Sequence, residues 1–203
     1  MSGLADAGWM IISKRYDGGT SDWWVQHSSV ADGSNVLKLN SNAAETDISS
    51  DGTLTSPTNT LFYGNWNSGL AGSTNNVGYI WKDLAGIQKF GFYTGNGDSE
   101  DGPFVDLGFS PALLMIKSSS HAENWNTFDN VRSLYNEVNC NIILNATTEE
   151  NCTTTARRLD FLSNGFKIRG DDGTINTNNY IYVYAAWAYQ PTNNLYGGQS
   201  NAR

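Results

Sequence analysis

The chain repeats itself, and this constrains its fold more than any other feature. "GWMIISK" (8–14) lies over "PALLMIK" (111–117), each an apolar run opened by a chain-turning Gly or Pro and closed by Lys. "DWWVQHSSV" (22–30) lies over "NWNTFDNVR" (124–132), with Trp23 on Trp125. "LKLNSNAAE" (37–45) matches "IILNATTEE" (142–150), sharing the pairs Leu39-Asn40 and Leu144-Asn145. "NVGYIWKD" (76–83) matches "YVYAAWAY" (182–189), with Trp81 over Trp187. Chance supplies one such match, but not four in the same order at an offset of about 102 to 106. The chain is a tandem duplication, so one fold must serve both halves.

That fold is read from what lies between the matches. "WMIIS", "LFYGNW", "GFKIRG" and "YIYVYAAWA" are rich in β-branched and aromatic residues, and "DGG", "SDG", "NG" and "DDG" separate such runs. "NG" at 164–165 reads as a hairpin turn. Only "TFDNVRSLYNEV" (127–138) carries a helical hint, and Asn interrupts it. With aromatics at 12% and charged residues at 16%, the composition is that of a turn-rich β protein. The expected fold is all-β: two tandem antiparallel β-sandwich-like (lectin-like) repeats packed together, with at most short helices. The first repeat is read as 1–88, the second as 89–191, and 192–203 as a tail.

A net charge of −8 argues against nucleic-acid binding, which depends on neutralising phosphates. Arg157, Arg158, Lys167 and Arg169 form a local basic cluster and read as a solvated sheet face. The longest apolar run, 181–189, is about half a membrane span, so no membrane insertion is expected. No secretion signal is read, which makes a cytosol the expected site of synthesis. Cys140 and Cys152 lack zinc spacing; a bridge and two buried thiols both remain open.

The Gly-rich stretch 90–111 has neither a Walker pair nor GxGxxG entering a helix, and Asp98, Glu100 and Asp101 lack calcium-loop spacing. It reads as the joint that opens repeat two with its own strand, "KFGFYT". Repeat one has no equivalent opening strand in this sequence, and the edge so exposed is expected to be covered by another chain or by the tail.

"KFGFYTGNGDSEDGPFVDLGFSPALLMIK", "LDFLSNGFKIRG", "YIYVYAAWAYQP" and the terminal "NAR" resemble a repeat domain of structural proteins from tailed bacteriophages, notably marine and cyanobacterial ones. The resemblance covers nearly the whole chain and is closer in the second copy. It implies a virion component on a tail fibre, spike or capsid surface, with no catalytic residue or cofactor to carry over. Tyr189 stands where relatives tend to have an acid, and Cys140 and Cys152 are not family features. The expected partners are other virion subunits in a homo-oligomer, a trimer if attached as a fibre, and a host surface glycan. Acidity favours the outside of the particle over its genome-lined interior.

For glycan or partner binding, the candidates are Trp24, Asn65, Trp66, Asn67, Asp171, Asp172, Asn176 and Asn178. Trp24 and Trp66 lack an aromatic counterpart in the other repeat and sit beside polar turns, which is the pattern of an exposed stacking surface. The remaining candidates lie in loops 64–76 and 169–179, where Asn and Asp offer paired donors and acceptors to hydroxyls. The same residues are also ordinary turn formers. His27 and His121 fall in no catalytic or metal pattern, and Glu149/Glu150 and Asp171/Asp172 are not spaced as glycosidase pairs. No catalytic residue, metal or cofactor is expected.

Overall fold

The computed structural model describes residues 7–17, 20–30, 35–48, 54–55, 63–64 and 75–189. In chain order the strands are β1 (Trp9–Arg15), β2 (Trp24–His27), β3 (Asn35–Lys38), β4 (Thr46–Asp47), β5 (Leu54–Thr55), β6 (Tyr63–Gly64) and β7 (Asn76–Lys82). They continue with β8 (Gln88–Thr94), β9 (Phe104–Asp106), β10 (Pro111–Ser118), β11 (Asn126–Asp129), β12 (Asn141–Ile143), β13 (Leu159–Leu162), β14 (Gly165–Ile168) and β15 (Ile181–Ala188). One five-stranded sheet runs β4-β3-β2-β1-β7 and a second runs β12-β11-β10-β15-β8. A three-stranded sheet, β13-β14-β9, and the pair β5-β6 complete the set. Every pairing among the described residues is antiparallel, and the fold is all-β as expected.

The duplication is written in the register. Met10 faces Trp81 and His27 in the first sheet, while Leu113 faces Trp187 and Asp129 in the second. Trp24 faces Lys38 where Asn126 faces Ile143. Thus β1, β2, β3 and β7 correspond to β10, β11, β12 and β15. The shared Asn explains why the Leu-Asn pair recurs. Trp23 N–H donates to Asn40 Oδ1 at 2.8 Å, and Trp125 N–H donates to Asn145 Oδ1 at 2.8 Å. The Asn40 amide donates on to Asp22 Oδ1, and that of Asn145 to Asn124 Oδ1. A slip of one residue would turn every inward side chain outward, so these staples hold what burial demands.

The layers follow from alternation along the strands. On one face of the second sheet, Leu114, Ile116, Phe128, Tyr182 and Ala186 pack against Phe161, Phe166 and Ile168 of the three-stranded sheet. On the other face, Met115, Val183, Ala185 and Phe90 meet Met10, Ile12, Val25 and Leu37 of the first sheet. The second sheet is therefore covered on both sides, which is why β10 and β15 read as near-continuous apolar runs rather than alternating ones. Trp81 and Trp187 meet edge to face across this seam, their ring centroids 6.2 Å apart, and Phe90 packs edge-on against Trp187.

Two local details differ from the sequence reading, and a third settles an alternative it left open. The β13–β14 connection is Ser163-Asn164, one residue before the expected turn, because Leu162 already faces Gly165. Gly165 is needed within the strand instead, since a Cβ there would run into the Val105 carbonyl of β9. The helical hint at 127–138 is not a helix: Asn126–Asp129 extends the β10 ladder, and Asp129 Oδ1 then accepts the N–H groups of Val131 and Arg132 to turn the chain. Cys140 and Cys152, left open above, are joined as a disulfide.

Candidate functional site

The expected binding loop at 169–179 is largely engaged with the 95–101 joint. Asn176 is fully buried; its amide donates to the carbonyls of Asp98 and Gly170, and its Oδ1 accepts from Asn96 N–H. It is a staple between the 95–101 and 170–176 segments rather than a ligand contact. Asp98 Oδ1 accepts from the N–H groups of Asp101 and Glu100, which hold its carboxyl below the usual range. Asp101 pairs with Lys167, Glu100 with Arg158 at 2.7 Å, and Asp160 with Arg169 at 2.7 Å. The acidic joint and the basic cluster, read separately in the sequence, face one another. Arg157 pairs with Asp172 at 3.0 Å. Burial pushes the Asp172 carboxyl up, but hydrogen bonds from Thr174 and Arg157 outweigh it and leave it lowered.

Trp24 corrects the surface reading. It is only 6% exposed, clustered with Val36 and Ile48, and Lys38 Nζ lies 4.9 Å above its ring. Asn65, Trp66 and Asn67 lie outside the described residues, as does loop 65–74. Asp171 and Asn178 are exposed, and these two are the described candidates that keep a surface position.

A group of titratable side chains that sequence reasoning missed lies beside this loop pair. Lys117 is fully buried and its ammonium donates to the carbonyls of Ser118 and His121. Burial lowers its pKa to about 8, opposed by the charge of Glu123. Glu123, half-buried against Gly173, is pushed up by burial and then by Asp172. His121 stacks on Tyr180 with ring centroids 3.5 Å apart. The one sequence signal was the Lys14/Lys117 match, which gave no hint that the two lysines differ in burial.

Between the repeats, two polar residues do specific work. His27 is buried, with Nδ1 accepting from Ser29 N–H at 3.1 Å, so Nε2 carries the proton and donates to the Tyr184 carbonyl at 3.0 Å. Asp83 sits where β7 turns into β8. Its Oδ1 accepts from Phe90 N–H at 2.8 Å and its Oδ2 from Gly8 N–H at 3.1 Å, while its own N–H donates to the Gly8 carbonyl. Phe90 N–H points away from β15, so Asp83 closes the outer edge of β8. Replacing Asp83 with alanine strands both donors. We expect a loss of about 2 kcal/mol in urea unfolding, and a loss under about 0.5 kcal/mol would disprove this role.

The edge of β7 is different. Its ladder with β1 ends in Tyr16 N–H to the Asn75 carbonyl and Asp83 N–H to the Gly8 carbonyl. By alternation, the N–H and C=O of Gly78 and Ile80 face away from β1. Among the described residues no strand pairs with that side, whereas the corresponding strand β15 has β8 there. Tyr79 and Ile80 are 47% and 51% exposed, one on each face of the strand.

Residues 1–191 match a family described as a domain of unknown function, DUF7483. No curated protein and no solved structure matches the chain.

Proposed function

We propose that this chain, which belongs to the DUF7483 family, is a non-enzymatic structural component of a tailed-phage virion, displayed on the particle surface and built to make subunit contacts. The phage assignment rests on the sequence motifs of the joint, the hairpin and the terminal strand. The subunit-contact role rests on one structural observation, the regular β7 edge with Gly78 and Ile80 directed outward and apolar side chains on both faces. A strand edge of this kind is a template for another chain. The loops fit this reading, because Glu100, Asp101 and Asp172 are spent on ion pairs with Arg158, Lys167 and Arg157, and Asn176 on tying the 95–101 and 170–176 segments together. A glycan-binding role would have to draw on Asp171, Asn178 and the loop at 64–76.

The test is direct. Purified, nuclease-treated particles are probed with gold-labelled antibody raised against the chain. Label on the outer surface of intact particles is expected. Chain that stays in the soluble lysate while particles band free of it would overturn the assignment.

A further inference from the structure

We infer that β7 pairs with β7 of a second copy of this chain, antiparallel about a two-fold axis through Tyr79. This deepens the subunit-contact reading above and rests on it for the use of this edge.

The strand is self-complementary. Alternation directs the N–H and C=O of Gly78 and Ile80 outward, so a second β7 centred on Tyr79 places Gly78 opposite Ile80 of the other copy, and the reverse. Each such pair exchanges two backbone hydrogen bonds. This register alone overlaps all seven residues, Asn76–Lys82. Tyr79 then faces its own counterpart in the closer, non-hydrogen-bonded type of pair, where aromatic side chains gain most from contact. Val77 faces Trp81, extending the aromatic seam in which Tyr79 already stacks on Trp81. The one charged residue of the strand, Lys82, falls opposite Asn76, so no like charges meet.

The β8 edge of the neighbouring sheet shows how this fold blocks such pairing when it must. Asp83 occupies the outward N–H of Phe90 in the middle of β8. β7 carries no proline, no bulge and no inward charge, and its ladder with β1 is unbroken over seven pairs. An isologous edge closes on two copies. The pairing favoured here is therefore two-fold, in place of the trimer that fibre attachment suggests.

Sedimentation equilibrium of the full chain is expected to show a reversible dimer. Tyr79→Lys sets two ammonium groups face to face and should weaken dimerisation at least about 100-fold. Mixing Tyr79→Lys with Tyr79→Glu should restore a heterodimer. Ile80→Pro removes an outward N–H without touching the β1 ladder and should also give monomer with unchanged circular dichroism. Tyr79→Cys should cross-link to itself under mild oxidation, since non-hydrogen-bonded pairs approach to about 4.5 Å between Cα atoms. A chain that stays single at every concentration overturns the inference. So does an oligomer indifferent to both Tyr79→Lys and Ile80→Pro, or a Tyr79→Cys chain that does not cross-link. Sedimentation tests the edge and particle labelling tests the address, so either reading can fail without the other.

Discussion

Replacing Trp125 with alanine is expected to cost about 3–5 kcal/mol, the range for truncating a buried Trp or Phe, and to lower Tm by roughly 10 °C or more. The indole is 2% exposed and belongs to the cluster shared by the two large sheets. It also bridges them by hydrogen bond, donating from Nε1 to the Lys38 carbonyl at 2.9 Å. Its counterpart Trp23 has the same backbone staple but is only partly buried, with Lys14 Nζ 5.8 Å from its ring. Trp23→Ala should therefore cost markedly less. Trp125→Phe, which keeps most of the packing and loses the bond, should fall near 1 kcal/mol plus the lost volume. Urea unfolding of the three variants separates the contributions. If Trp23→Ala proves as damaging as Trp125→Ala, the idea that the seam is organised around one tryptophan fails.

The Leu-Asn match was legible because it is carried by residues whose partners lie in the same half. Asn40 and Asn145 each tie the strand beside them, so the Leu-Asn pair persists where most other identities have drifted. Trp24 was misread for the opposite reason. Asp22 beside it and the lack of an aromatic counterpart suggested a surface, but strand alternation puts it on the outer face of the first sheet, where Val36 and the distant Ile48 close over it. Asn176 looked like a loop residue free to bind, because nothing local reveals that Asp98, some eighty residues earlier, returns to meet its amide. Asp83 and His27 were passed over as ordinary polar residues. Both act between repeats, and neither has a like residue at its matching position: the position matching His27 holds Asp129, and that matching Asp83 holds Tyr189.

The second large effect is an acid-triggered loosening of the seam at His27. Burial lowers its pKa from 6.5 to about 4, against a smaller upward pull from the Tyr184 carbonyl. Both ring nitrogens are committed in the neutral form: Nδ1 to the Ser29 N–H, Nε2 to Tyr184. Protonation would oppose the first bond and bury a charge beside Phe90, whose ring lies edge-on at 6.4 Å. The unfolded chain takes up the proton near pH 6.5 and the folded chain only near pH 4. The stability associated with neutral His27 is thus fully present above 6.5 and is lost as pH falls towards 4, amounting to about 3 kcal/mol. The lowered carboxyls of Asp17, Asp22, Asp98 and Asp172 lose their contributions as pH falls below the ordinary carboxylate range, beneath this window. Glu123, whose carboxyl is raised, opposes the trend at its lower end, because the folded state there holds the extra proton. The informative quantity is therefore the difference between the wild type and His27→Gln, which cannot be charged. Wild-type unfolding free energy should fall faster between pH 6.5 and 4 by about 3 kcal/mol in total, with the gap closing as pH drops. Parallel curves for the two proteins would show that folding leaves the His27 proton affinity unshifted across this range, and the acid-triggered loosening at His27 would fall.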